Sequence, residues 1–238
     1  TLIDSTPGVL KAWRTFSNDY GLGDSASIAH ATHGRRLYDT LKEYCGIAEE
    51  DRLLKEIDRF EDEVIQGGPM ALPGAVDMVS KLASHPSSKS KWTIVTSGNV
   101  YACVDQLWYS PSPRSGFPLD IASNKYAPRA LERAGVPLPA AGIVTANDVS
   151  QGKPHPAPYI AGALKCSVDP KDCLVVEDAI SGLKAGHAAG CRTLAVCTST
   201  SRSTILESGS NPDYIVNDLT KVTVRMVDNK IQLLVDQS

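Results

Sequence analysis

Cys173-Leu174-Val175-Val176-Glu177-Asp178-Ala179-Ile180-Ser181-Gly182 decides how this chain is read. An apolar run stops abruptly at two carboxylates, and a helix-forming stretch follows in which Gly182, Gly186 and Gly190 recur at four-residue spacing. A short apolar run bounded by polar residues reads as a buried strand, and glycines along one helix face let a helix lie close on a sheet. The local reading is strand, acidic turn, helix.

Working outward, the same rhythm recurs. Apolar runs at 92–95, 142–145, 193–196 and 214–216 alternate with helical stretches at 127–134, 156–164 and 180–189. Strands alternating with helices need crossover connections, and hence a mostly parallel sheet. The expected fold class is α/β, with a Rossmann-like core whose polar chemistry gathers at the carboxyl edge of the strands. Ahead of it, 7–66 is helical throughout, with Val9, Leu10, Trp13 and Phe16, then Leu53, Leu54, Ile57, Phe60 and Val64 at helical spacing. Gly67-Gly68-Pro69 and Leu72-Pro73-Gly74 punctuate the junction. Two units are expected: a helical one over 8–67, and an α/β core over 1–7 and 68–238. Residues 100–124, with Ser110-Pro111-Ser112-Pro113 and no sustained period, read as an insertion in that core.

Composition narrows the function. With 238 residues, 42% hydrophobic and 21% charged, the chain has the balance of an ordinary globular protein. A formal charge of -3 offers no basic field for a nucleic acid. No apolar run approaches the ~20 residues of a membrane span, so no membrane partner is expected. The six cysteines form no CxxC pair, which argues against a zinc cluster and fits reduced thiols in the cytoplasm.

Several residue groups can carry chemistry. Glu177 and Asp178 at a strand end suit a hard cation such as Mg²⁺, although such a pair is also an ordinary solvated turn. Lys153, fixed in Gln151-Gly152-Lys153-Pro154-His155-Pro156, is a restrained ammonium able to neutralise a phosphoryl group, or an exposed loop lysine. It is no P-loop: Pro154 stands at the Ser/Thr position and Asn147 at the first Gly. Thr96, Ser97 and Asn99, after the run 92–95, offer hydroxyl, amide and backbone donors for phosphate oxygens, or simply a polar turn. His33 and Arg36 sit in His33-Gly34-Arg35-Arg36, a break in the helical pattern where arginines can fork onto a phosphate or pair with helix carboxylates.

The order of these groups resembles motifs two, three and four of the haloacid-dehalogenase-like hydrolase superfamily. More narrowly, His33 to Asp39, Thr145 to Val149, Gln151 to Pro156 and Val176 to Ala179 look like the fungal glycerol-3-phosphate phosphatase and 2-deoxyglucose-6-phosphate phosphatase group. The resemblance implies a Mg²⁺-dependent phosphatase acting through an aspartyl-phosphate on a small phosphorylated metabolite, a polyol or sugar phosphomonoester. It implies that Thr96 or Ser97 holds the phosphoryl group, Lys153 balances its charge, and Asp178 with Glu177 holds the metal. The helical unit becomes a cap bringing Arg36, His33 and, from the core, Asn99 near the substrate; a monomer is expected.

Two departures qualify the resemblance. The first motif of the superfamily, Asp-x-Asp-Gly-Thr, appears only as its tail, Thr1-Leu2-Ile3-Asp4. The chain as written is read as a fragment that lacks the nucleophile and a central strand, which would leave a gap in the core and expose neighbouring strand edges. The second departure is 100–124, read as a retained intron, with a true loop as the alternative. A catalytically inactive relative that binds a phosphometabolite is the competing function. A mutase matches the motifs less closely, and a dehalogenase would leave Glu177-Asp178 without a purpose.

Overall fold

Trp13, Phe16 and Phe60 sit at helical spacing and find one another in the middle of an all-helical layer. In the computed structural model, which describes residues 1–32, 35, 37–96, 126–145 and 148–237, the chain opens with strand β1 (Ile3–Asp4). Helices α1 (Thr6–Tyr20), α2 (Ser25–Ala31), α3 (Leu37–Cys45) and α4 (Glu50–Gln66) follow. Pro7 starts α1, where its missing N–H costs nothing, and Gly21 ends it in the left-handed conformation at φ 63°. The ring of Phe60 meets Trp13 at 5.1 Å and Phe16 at 5.2 Å, both edge-on. Leu41, Leu53 and Ile57 close the core of this layer, against which Tyr126 also packs from beyond it. Truncating Phe60 to Ala should therefore cost about 3–5 kcal/mol.

The two chain segments that join this layer to the rest cross closely. A Cβ on Gly67 would lie 2.3 Å from the Gly8 Cα, and one on Gly8 would lie 2.3 Å from the Val64 carbonyl oxygen. Only glycine permits that approach. Strand β2 (Met70–Ala71) then returns antiparallel to β1, so the layer is entered and left through one two-stranded ribbon.

Beyond the ribbon lie α5 (Ala75–Ser84), β3 (Ile94–Val95), α6 (Tyr126–Arg133), β4 (Ile143–Val144) and α7 (Ala157–Lys165). They are followed by β5 (Leu174–Glu177), α8 (Ile180–Ala188), β6 (Arg192–Val196), α9 (Arg202–Glu207) and β7 (Tyr214–Val216). A hairpin of β8 (Val222–Val227) and β9 (Lys230–Val235) ends the fold. The expected alternation is present, each strand shorter than or close to its apolar run. The insertion read at 100–124 lies outside the described residues.

The parallel sheet comes in two pieces. β3 pairs with β4, and β5, β6 and β7 form a second parallel set. Among the described residues nothing bridges β3 to β5, and a cavity of about 970 Å³ runs along both, lined by Thr93, Ile94, Val95, Leu174, Val175 and Val176. The buried Trp92 indole N–H, in the wall of the same cavity, has no acceptor among the described residues. Thr1 and Leu2 lie at the cavity's lining as well.

Candidate active site

β5 is short and apolar, and it delivers Glu177 as its last residue, with Asp178 in the turn before α8. Both side chains are largely buried. A buried carboxylate must be paired or hydrogen-bonded to persist as a charge. Each of these solves the problem differently.

Glu177 is saturated by protein donors. Lys153 Nζ donates to Oε1 in a tight ion pair, and the Tyr159 hydroxyl donates to the same oxygen at 2.6 Å. The backbone N–H groups of Asp178 and Ala179 donate to Oε2 at 3.0 and 3.2 Å. Burial raises the Glu177 pKa, but the Lys153 charge and the hydrogen bonds from Lys153 and Tyr159 outweigh it and hold the carboxyl below its ordinary value. Tyr159 moves the opposite way: burial first, then the Glu177 charge, pushes its hydroxyl well above 10, so it stays a donor. The sequence reading places Glu177 beside Asp178 as a metal ligand. Here its oxygens accept from Lys153, Tyr159 and two backbone amides.

Asp178 has smaller, oxygen-rich company. Its Oδ1 accepts from the Thr1 hydroxyl at 2.6 Å, and its Oδ2 accepts from the Thr198 hydroxyl and the Thr1 amino group, each at 3.0 Å. Burial raises its pKa, while the hydrogen bonds from the Thr1 and Thr198 hydroxyls lower it. Oxygen donors of this kind are what a hard cation takes, and Mg²⁺ keeps several waters rather than demanding an all-protein cage. The residues present fit such an ion, anchored by Asp178. Among the described residues, no three His, Cys, Asp or Glu side chains converge as a denser metal cluster.

Lys153 arrives from the loop after β4. Asp148 closes the first turn of that loop, accepting from the Thr145 N–H at 2.8 Å and its hydroxyl at 3.0 Å. The Lys153 side chain, 8% exposed, also donates to the Val95 carbonyl at 3.2 Å. Thr96 follows Val95 and is tied to β4 through its N–H to the Val144 carbonyl at 2.9 Å.

Thr96, Lys153, Glu177 and Asp178 line one cavity of about 330 Å³. Its opposite wall is the helical layer, through Trp13, Thr32, Thr40, Phe60 and Glu61. The Arg129–Asp62 ion pair at 2.8 Å ties α6 to α4 across the two units. Of the remaining sequence candidates, Ser97, Asn99, His33 and Arg36 lie outside the described residues. Sequence reasoning missed Thr1, Thr198 and Tyr159. Thr198 was within reach of the rule that finds Asp178, since it follows β6 at the same sheet edge. Tyr159 carries no such signal, because only the packing of α7 against β5 brings its hydroxyl to Glu177.

The glycine stripe of α8 has a specific task. A Cβ on Gly182 would lie 2.2 Å from Glu177 Oε1. Gly182→Ala should displace that carboxylate and with it Lys153, lowering the melting temperature, which thermal unfolding beside the parent protein would check.

The family model for haloacid dehalogenase-like hydrolases matches residues 1–190. Hexitol phosphatase A of Escherichia coli is 31% identical over 233 residues, covering 96% of this chain and 92% of that protein. Glycerol-1-phosphate phosphohydrolase 1 of Saccharomyces cerevisiae is 29% identical over 231 residues, covering 94% of this chain and 81% of its own length. The yeast 2-deoxyglucose-6-phosphate phosphatase 1 is 27% identical over 94% of this chain and 86% of its own. Among solved structures, a hydrolase from Pseudomonas syringae shares the fold with a TM-score of 0.66 at 21% identity, over 92% of this chain and 90% of that one.

Proposed function

As this chain belongs to the haloacid dehalogenase-like hydrolase family, we propose that it is the working part of a phosphatase that hydrolyses the phosphomonoester of a small polyol or sugar. The relatives named for hexitol, glycerol and 2-deoxyglucose phosphates support that substrate class. The observation that carries the reading is the convergence of Thr96, Lys153 and Asp178 on one cavity between the helical layer and the carboxyl edge of the strands. A catalytically idle turn would not need a lysine held in place by a buried glutamate.

Each residue has a role that its contacts make physically sensible. Lys153, fixed by Glu177 and the Val95 carbonyl, places positive charge where a phosphoryl group gains negative charge in the transition state. Thr96 supplies hydrogen bonding to the phosphoryl oxygens. Asp178 holds Mg²⁺, whose chemistry is to shield the meeting of two anions. The helical unit over 8–67 serves as the cap that excludes water. Free thiols at Cys45, Cys166, Cys173, Cys191 and Cys197 fit a reducing, cytoplasmic setting.

We infer that a segment of the Asp-x-Asp-Gly type supplies the nucleophile to this site. The cavity between β3 and β5 runs along both strands, and a strand of about five residues is of ordinary length. Such a strand would pair both edges, offer acceptors near Trp92, and deliver Asp-x-Asp-Gly to the site beside Asp178. The first Asp would form an oxygen–phosphorus bond as the bond to the alcohol breaks, and the second would give its proton to the departing oxygen. Water activated by that second Asp would then release inorganic phosphate and restore the first carboxylate.

The test is phosphate release from glycerol phosphate, hexitol phosphates and 2-deoxyglucose 6-phosphate by a chain extended before Thr1 with an apolar strand and Asp-x-Asp-Gly. Turnover that disappears with chelator and returns with Mg²⁺ is expected. Failure of the extended, folded chain to release phosphate from any of them would overturn the reading, and turnover indifferent to chelator would remove the metal.

A further inference from the structure

Tyr159 carries a hydroxyl that the packing of α7 does not require. Its ring belongs to a cluster with Val175, Ala185 and Cys191, and only 8% of the residue is exposed. Phenylalanine would fill that place with no hydroxyl to desolvate, and a hydroxyl persists in apolar surroundings only where it finds a partner. Here the partner is Glu177: the hydroxyl donates to Oε1 at 2.6 Å, the oxygen that also accepts from Lys153. The ring contributes separately, since Lys153 Nζ lies 5.0 Å from its centroid, within reach of a cation–π contact. One side chain thus touches both members of the ion pair.

The flexibility of the lysine makes such a frame useful. Lys153 carries its charge on a long, rotatable stem and cannot set its own position. Two backbone N–H groups fix Oε2 of Glu177, whereas Oε1 is held by side chains, namely Lys153 itself and Tyr159. An ammonium has three N–H donors. Glu177 takes one and the Val95 carbonyl, at 3.2 Å, takes another. Among the described residues no acceptor takes the third, and Lys153 lines the same cavity as Thr96 and Asp178.

We propose that Tyr159 is a positioning residue: its hydroxyl holds the Glu177 carboxylate and its ring backs the Lys153 ammonium, so that the third N–H is presented to the phosphoryl group. This rests on the phosphatase reading above. A misplaced charge is felt most where new charge develops, so the effect belongs to the chemical step rather than to the capture of substrate.

The test uses the extended chain and whichever of the polyol and sugar phosphates above it turns over fastest. Tyr159→Phe keeps the ring and removes the hydroxyl; kcat should fall about tenfold while KM stays within about twofold. In the background Lys153→Met with Glu177→Gln, no ammonium is left to position, and the same substitution should change the residual turnover by less than about twofold. Thermal unfolding of each variant sets an assay temperature below its transition, so that a lower rate reports the site and not a loss of folded protein. An equal loss of kcat in both backgrounds, or a raised KM at unchanged kcat, would make Tyr159 part of the scaffold and overturn the proposal. A Tyr159→Phe chain as fast as the parent would overturn it too. If the parent releases phosphate from none of these substrates, it is the phosphatase reading that fails.

Discussion

In the extended chain, replacing Lys153 by Met will cut turnover and destabilise the fold, and a second substitution will separate the two losses. Lys153 is the charge partner of Glu177, and the two side chains are 8% and 7% exposed. Taking away one member of a buried pair leaves an uncompensated charge, at a cost of about 3–5 kcal/mol. Tyr159 and two backbone N–H groups still donate to Glu177, which places the loss nearer the lower figure. Removing a preorganised positive charge from the proposed phosphoryl site should cut turnover by about 10²–10³-fold. In the double variant Lys153→Met with Glu177→Gln, the buried negative charge is gone, and the glutamine oxygen can still accept from the two backbone N–H groups. Much of the stability should return, with no return of activity. Recovery of turnover in the double variant would show that Lys153 matters only as a partner of Glu177.

The pH dependence follows from the same pair. In the parent protein, Glu177 is held below its ordinary value of 4.5. Its contribution to stability is therefore complete above the unfolded carboxylate pKa and is lost as pH falls through the lower folded value. In Lys153→Met, burial acts unopposed by the lysine and raises the Glu177 pKa. Destabilisation should be largest near neutral pH and should shrink on acidification, as the carboxyl takes up its proton. Urea denaturation at pH 7 and at mildly acidic pH would show this convergence of the two proteins. Equal destabilisation at both pH values would rule out the charge argument.

Asp178→Asn in the extended chain carries the second large effect. Asparagine keeps the side-chain size and still accepts from the Thr1 or Thr198 hydroxyl, so the fold should be little disturbed. It lacks the charge that would anchor Mg²⁺. Since loss of even an outer partner of a metal costs about 10–100-fold, loss of the anchoring carboxylate should raise the Mg²⁺ concentration for half-maximal activity by at least about 100-fold. Titration of phosphate release with Mg²⁺ is the measurement. A curve superimposable on that of the parent would place the metal elsewhere.

Much of this molecule was legible before its structure. The run ending at Glu177-Asp178, the glycine-bearing helix after it and the helical stretch over 7–66 rest on local sequence patterns, chiefly the run of apolar residues and the 3.6-residue period. The strand-end rule also singled out Thr96 and Asp178, and both line one cavity, because crossover connections align the carboxyl edges of parallel strands.

What local pattern cannot contain is which groups saturate one another. Glu177 and Asp178 are adjacent in sequence and look equivalent there, yet one is committed to Lys153 and Tyr159 and the other to Thr1 and Thr198. That choice was made by α7 packing behind β5, and by the chain start lying 177 residues away in sequence from the carboxylate it touches. Glu61 is the same case in the helical layer: its spacing from Ile57 put it on the buried face, but only the apposition of that layer to the sheet edge gave it a cavity to line. Sequence alone determined the elements and the chemical kinds of residue at their ends, because backbone geometry repeats locally. Tertiary structure decided the pairing of buried charges, because the cost of burial is settled by whichever partners packing brings within hydrogen-bond distance.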